Sequence, residues 1–228
     1  MIVLIPAYQP DDRLAAIVAD LRLALPGSEE LVVDDGSGQP YHDAFRRAAE
    51  AGATVIGYGA NRGKGAALKS GMRWVLAHRP GIDVVTVDAD GQHRVADVVR
   101  VADAVRPGVL VLGGRRFTGS VPARSRLGNA VTRWVFRLIT GDAVYDTQTG
   151  LRGYGHDVMP WLLSVPGERF EYESNVLVRA GDEGIRIVEI EIETVYDPAS
   201  YSSHFRPLAD SWRIYRPLLA YALRRGRR

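Results

Sequence analysis

Asp88-Ala89-Asp90-Gly91-Gln92-His93 gathers two carboxylates, a carboxamide and an imidazole in one short stretch. It follows Val84-Val85-Thr86-Val87, a β-branched run that reads as a buried strand. Carboxylates are seldom buried unless they are paired or bind a cation. Hard oxygen ligands at the carboxyl end of a strand suit Mg²⁺ or Mn²⁺, which usually arrives with substrate phosphates. The chemistry indicated is a metal–diphosphate site.

Further groups are candidates for the same site. Asp34-Asp35-Gly36-Ser37 closes an earlier strand. Alone it reads as a turn; beside Asp88 and Asp90 it reads better as a carboxylate receiving a nucleotide's ribose hydroxyl or base N–H. Asn61-Arg62-Gly63-Lys64-Gly65-Ala66-Ala67 precedes a helical stretch. It lacks the last glycine of a dinucleotide fingerprint and follows a third strand, so a dehydrogenase is a poor fit. Its physics still suits phosphate, with helical N–H groups and two cations facing a diphosphate. Arg115 and Arg116 follow a fifth strand and are expected to project over the same end of the sheet, toward phosphate. Glu171 and Glu173 read as dipole-favoured acids in a helix's first turn. Ser202-Ser203-His204-Phe205-Arg206 reads either as capping or as a lid carrying His204 and Arg206 to a diphosphate.

The positioning elements are read from periodicity. Apolar strands are expected at 2–5, 31–33, 54–56, 84–87 and 109–112, with helices at 11–25, 41–51, 63–78 and 95–105 between them. Such alternation implies parallel βαβ units in a doubly wound α/β sheet, where ligands bind beyond the carboxyl ends of the strands. The second half breaks the rhythm. It predicts a helix over 127–139, a loop or short strand over 146–154, a helix over 170–180, a half-exposed strand over 185–192, a loop over 194–205 and a last helix from about 207.

Composition bounds the rest. The chain has 228 residues, is 46% hydrophobic and carries a net charge of +2. It is read as one domain, and its global charge does not point to a nucleic-acid partner. Arginines cluster without acids between Gly113 and Gly141, and seven more follow His204 against Asp210 alone, which suits phosphates or an anionic membrane surface. The absence of cysteine excludes disulfides and thiolate–metal sites and fits a reducing cytoplasm. Met1-Ile2-Val3-Leu4-Ile5-Pro6 lacks a basic leader and reads as a strand, not a signal peptide. No apolar run approaches the roughly 20 residues of a membrane span. Trp212, Tyr215, Leu219 and Leu223 form one stripe among arginines; it reads as a helix packed on the domain or as a basic interfacial helix.

Taken in order, Ile5-Pro6-Ala7-Tyr8, Val32 to Ser37, Asn61 to Gly65, Asp88 to His93, Gly114-Arg115-Arg116-Phe117, Asp146-Thr147-Gln148-Thr149-Gly150-Leu151-Arg152 and Ser203-His204-Phe205 resemble a family 2 glycosyltransferase of the GT-A fold. The resembling branch is that of dolichyl- and polyprenyl-phosphate sugar synthases, such as dolichol-phosphate mannosyltransferase. The resemblance implies that Pro6, Ala7, Tyr8 and Asp35 line the nucleotide pocket, with Lys64 nearby. It makes Asp88 and Asp90 the DxD pair, with Asp90 and Gln92 on a Mg²⁺ or Mn²⁺ ion and Asp88 toward the ribose. Arg116 and Ser125 match positions that hold an acceptor phosphate, and Arg124 stands in for a second arginine. His204 and Arg206 complete the acceptor side. Residues 1–115 would then bind nucleotide, 116–206 acceptor, and 207–228 form a C-terminal helix.

The implied reaction is metal-dependent inverting transfer of a hexose from a UDP- or GDP-sugar to polyprenyl phosphate. The enzyme is expected to be cytoplasmic and peripheral to the inner face of a membrane. Transfer to a soluble or glycan hydroxyl is the alternative, with Asp146 as the nearest candidate base. A sugar-phosphate nucleotidyltransferase would carry a long glycine-rich loop after the first strand, which this chain lacks. A non-catalytic nucleotide-sugar binding module is the remaining alternative.

Overall fold

The computed structural model describes residues 1–115, 144 and 146–193. Its strands are β1 (Ile2–Ala7), β2 (Glu29–Asp34), β3 (Thr54–Gly57), β4 (Val84–Thr86), β5 (Val109–Arg115), β6 (Arg152–Tyr154) and β7 (Arg186–Ile192). Its helices are α1 (Arg13–Ala24), α2 (His42–Glu50), α3 (Lys64–His78), α4 (Val95–Ala104), α5 (Met159–Ser164) and α6 (Glu171–Ala180). The strands form one sheet in the order β3-β2-β1-β4-β6-β5-β7. All pairings are parallel except those of β6, which runs antiparallel to both β4 and β5.

The apolar runs become strands because both faces of the sheet are covered. In β1, Ile2 and Leu4 face a layer built with Leu68, Met72 and Val75 of α3, Leu162 of α5 and Val176 of α6. Val3, Ile5 and Ala7 face the other layer, with Leu14, Val18 and Leu21 of α1, Phe45 of α2 and Val98 and Val101 of α4. Alternate residues of one strand thus enter opposite cores.

Two elements depart from the expected rhythm. The stretch read as loop or short strand inserts β6 into the middle of the sheet, with Val85, Gly153 and Val111 in register. Gly153 has no room for a side chain: an added Cβ would overlap Val105 Cγ2, at the end of α4. The short helix α5 has no counterpart in the periodicity reading. The helix expected over 127–139, the loop over 194–205 and the C-terminal helix lie outside the described residues.

Because β6 is antiparallel, its first residue, Arg152, pairs with Thr86 and Leu112 near the carboxyl ends of β4 and β5. The loop 146–151 therefore reaches the sheet at the edge where β1, β2, β4 and β5 finish.

Candidate active site

Asp88 lies just past β4, partly buried, and three groups fix it. The Lys64 ammonium is 2.7 Å from Asp88 Oδ1, and His93 Nε2 is 3.5 Å from Oδ2. The third is backbone: a Cβ added to Gly150 would overlap both Asp88 carboxylate oxygens, so only glycine lets the loop approach them. Burial raises the Asp88 pKa, but Lys64 and then His93 more than reverse this, holding it well below the carboxylate range. Lys64 is bridged on its other side by Glu173 Oε2 at 3.0 Å. Burial alone would lower the Lys64 pKa; Asp88 and Glu173 together raise it.

Asp90 sits on the turn that follows, where Gly91 takes φ +73° and relieves the strain a side chain would meet. One Asp90 oxygen accepts the Gln92 backbone N–H at 3.0 Å. Burial, then the neighbouring Asp88 charge, raises the Asp90 pKa. A divalent cation is the group that would relieve this crowding. Among the described residues no three His, Cys, Asp or Glu side chains form a metal cage. The Asp90 carboxylate and the Gln92 carboxamide instead suit a cation that keeps positions for phosphate oxygens. The donor set fits Mg²⁺ or Mn²⁺.

Asp35 is only 3% exposed. Its carboxylate accepts the Tyr58 hydroxyl at 2.5 Å, the Asn61 amide at 2.9 Å and the backbone N–H groups of Arg62 and Gly63 at 2.9 Å and 2.9–3.0 Å. It therefore ties the end of β2 to the loop that launches α3. Gly36, at φ +71°, lies so close to that loop that a Cβ there would overlap the Ala60 backbone. Pro6 and Ala7 end β1 beside it, and Tyr8, partly buried, follows.

The start of α3 packs against the segment that leads into α6. The Ala66 N–H donates to Glu168 O at 2.8 Å. Side chains on Gly63 and Gly65 would strike Arg169, Glu168 and Tyr172, so these glycines serve packing against the start of α6. Arg62 stacks over the Tyr58 ring and lies 3.9 Å from Glu168. Of the two expected cations, Lys64 alone is tied to Asp88.

Arg115, expected over phosphate, is paired with Asp146, its Nε donating to Oδ2 and its Nη2 to Oδ1 at 3.3 Å. Asp146 is fully buried and also accepts the Gln148 N–H at 3.0 Å, while its own N–H donates to Glu189 Oε1 at 2.9 Å. The Asp146 carboxylate is thus already engaged inside the fold. Arg116, Arg124, Ser125, His204 and Arg206 lie outside the described residues.

The family model for "Glycosyl transferase family 2" matches residues 2–156, which include β1 to β6 and the groups around Asp35, Asp88, Asp90 and Asp146. The chain belongs to glycosyl transferase family 2. An undecaprenyl-phosphate mannosyltransferase of Micrococcus luteus is 31% identical over 86% of this chain and 83% of that protein. A polyprenol monophosphomannose synthase of Mycolicibacterium smegmatis is 30% identical over 84% of this chain and 76% of its own. Among solved structures, glucosyl-3-phosphoglycerate synthase from Mycobacterium tuberculosis, in complex with Mn²⁺, UDP and phosphoglyceric acid, superimposes with a TM-score of 0.69. It is 19% identical, with 98% of this chain and 77% of that one covered, so the likeness speaks for the shared GT-A fold.

Two side chains of this family 2 glycosyltransferase escaped the sequence reading as site groups. Glu173, taken for a dipole acid, lies on the same side of α6 as the buried Val176 and Leu177, and a carboxylate on a buried face signals a charge partner. Its neighbour Glu171 does fit the dipole reading, accepting the N–H groups of Glu168 and Arg169. The second is Arg152. Fully buried, it donates to the carbonyls of Thr149, Thr147 and Glu173 at 2.9, 3.2 and 2.8 Å. It locks the loop that carries Gly150 against α6.

Proposed function

We propose that this glycosyltransferase moves a hexose from a UDP- or GDP-sugar to polyprenyl phosphate, with inversion, using Mg²⁺ or Mn²⁺. The observation that carries the choice of acceptor is the enclosure of Asp146 by Arg115. The carboxylate that the sequence offers as a base for a hydroxyl acceptor is already engaged inside the fold. A phosphate acceptor is ionised near neutral pH and needs no such base. The names of the Micrococcus and Mycolicibacterium relatives support the same acceptor class. The Mn²⁺ and UDP held by glucosyl-3-phosphoglycerate synthase support the donor side.

Asp90 and Gln92 would hold the cation, and Asp88 would face the ribose. The bound cation supplies charge neutralisation for the departing diphosphate. Lys64, held between Asp88 and Glu173, fixes the Asp88 carboxylate at the same edge. Pro6, Ala7 and Tyr8 would line the nucleotide pocket, and Asp35 shapes it by holding the Tyr58–Gly63 loop. An acceptor phosphate oxygen attacks the anomeric carbon as the bond to the diphosphate oxygen breaks, and that electron pair leaves with the nucleoside diphosphate. Arg116, Arg124, Ser125, His204 and Arg206 are proposed to hold the acceptor within residues 116–206. Residues 1–115 would carry the nucleotide and 207–228 a C-terminal helix at a membrane surface, in one domain. Among the described residues no helix is long and apolar enough to cross a membrane.

The test is transfer of radiolabel from UDP- and GDP-hexoses, with Mn²⁺, to detergent-dispersed polyprenyl phosphate. Label in the lipid extract is expected. Label only in water-soluble or glycan products from hydroxyl acceptors overturns the acceptor assignment.

A further inference from the structure

We infer that Arg13, at the start of α1, is a positioning residue for the Asp90–Gln92 turn. The inference rests on the reading that this turn takes a divalent cation. The Arg13 guanidinium closes on Asp11, with Nε 2.9 Å from Oδ2 and 3.0 Å from Oδ1, and Nη2 2.6 Å from Oδ2. Asp11 also accepts the Arg13 backbone N–H at 3.0 Å. With its charge matched and its plane fixed by this fork, the arginine presents Nη1 as an oriented donor. That donor reaches across 77 positions of sequence to the Asp90 carbonyl, at 2.9 Å.

The turn also rests on the arginine's stem. A Cβ at Gly91 would lie 3.9 Å from Arg13 Cδ and from Ile17 Cδ1, so the glycine backbone lies over α1. Asp88 is held from the other side by Lys64 and His93. The described hydrogen bond to the Asp90 carboxylate comes from Gln92 within the same turn. Arg13 is thus a long-range anchor of the segment that would present Asp90 and Gln92 to one ion. Groups that orient metal ligands are commonly worth about 10–100-fold in metal affinity. At 33% side-chain exposure, Arg13 can be replaced without opening a core cavity.

The experiment is a Mn²⁺ titration followed by electron paramagnetic resonance of the free ion, with UDP or GDP present. It compares the parent chain with Arg13→Ala, Arg13→Lys and Asp90→Ala. Arg13→Ala is expected to raise the half-saturating Mn²⁺ concentration about tenfold. Arg13→Lys, which keeps a donor but loses the fork, is expected to recover part of that loss. Both should keep a parent-like thermal midpoint without metal, and turnover should return at high Mn²⁺. Parent-like Mn²⁺ affinity in Arg13→Ala, while Asp90→Ala has lost it, overturns the role of Arg13 and spares the cation site. Parent-like affinity in Asp90→Ala removes the cation from this turn, and the inference with it.

Discussion

Asp88 is crowded on every side, and each neighbour does a different job. Lys64 and His93 hold its charge, and Gly150 sets its position by leaving no space. Gly150→Ala adds one methyl group that overlaps the Asp88 carboxylate, in a backbone conformation that alanine accepts. The carboxylate must move while the core stays intact. Displacement of a reacting group by about 1 Å can cost on the order of a hundredfold in rate. Gly150→Ala should therefore lower kcat by that order and, because the displaced carboxylate loses part of its pairing with Lys64, lower the thermal midpoint by less than Lys64→Met does, as steady-state kinetics and calorimetry on one sample would show. Lys64→Met makes the complementary change. It leaves Asp88 and Glu173 facing each other without their shared cation. Breaking a buried pair from one side costs about 3–5 kcal/mol, toward the lower end here because Lys64 retains 16% exposure. Urea unfolding of Lys64→Met against Glu173→Gln checks this: the glutamine variant removes one charge and should lose less.

At the scale of elements, β6 decides where the site is. An antiparallel strand of three residues inside the sheet, between β4 and β5, brings loop 146–151 back over the carboxyl edge, and Arg152 pins it to α6 by donating to Thr147 and Thr149 of the loop and to Glu173 of the helix. Arg152→Met would leave those carbonyls buried without a donor and should cost about 3–5 kcal/mol of stability, measured by chemical denaturation. Little of this was legible in the sequence. Strands β1, β2, β4 and β5 announced themselves because both faces are buried and their sequences hold runs of Val, Ile and Leu, whereas β7 showed through its alternation of apolar and charged residues. Arg152-Gly153-Tyr154 has no such run; its arginine is buried by hydrogen bonds and its glycine is chosen for the approach of Val105. Helix α5 is too short for a period to show. The site divides along the same line. Asp88, Asp90 and Lys64 were legible because they sit where a strand ends or a helix begins. Glu173 and Gly150 were not, because each acts on a partner remote in sequence. Gly63 and Gly65, at the start of α3, likewise make room for remote partners, Glu168 and Tyr172, that their own neighbourhood does not name.

For the whole molecule, the consequence is that one edge of one sheet collects groups from β1, β2, β4, the start of α3 and α6. Segments remote in sequence meet there, so a ligand at that edge touches parts of the chain that all separate on unfolding. Binding there should be read out by global stability. A ligand at a hundred times its Kd adds about 2.7 kcal/mol to the native state. For a chain of this size each kcal/mol raises the midpoint by about 2–4 °C, so the expected shift is roughly 5–10 °C. UDP- or GDP-sugar with Mn²⁺ should produce it, and either alone should produce less, because the cation and the diphosphate complete each other's coordination. Asp90→Ala should abolish the extra shift given by Mn²⁺ and keep the smaller one given by nucleotide, since the groups proposed to hold the nucleotide at the ends of β1 and β2 are untouched. Equal shifts with and without Mn²⁺ in the parent chain would count against a cation at Asp90 and leave the nucleotide edge standing.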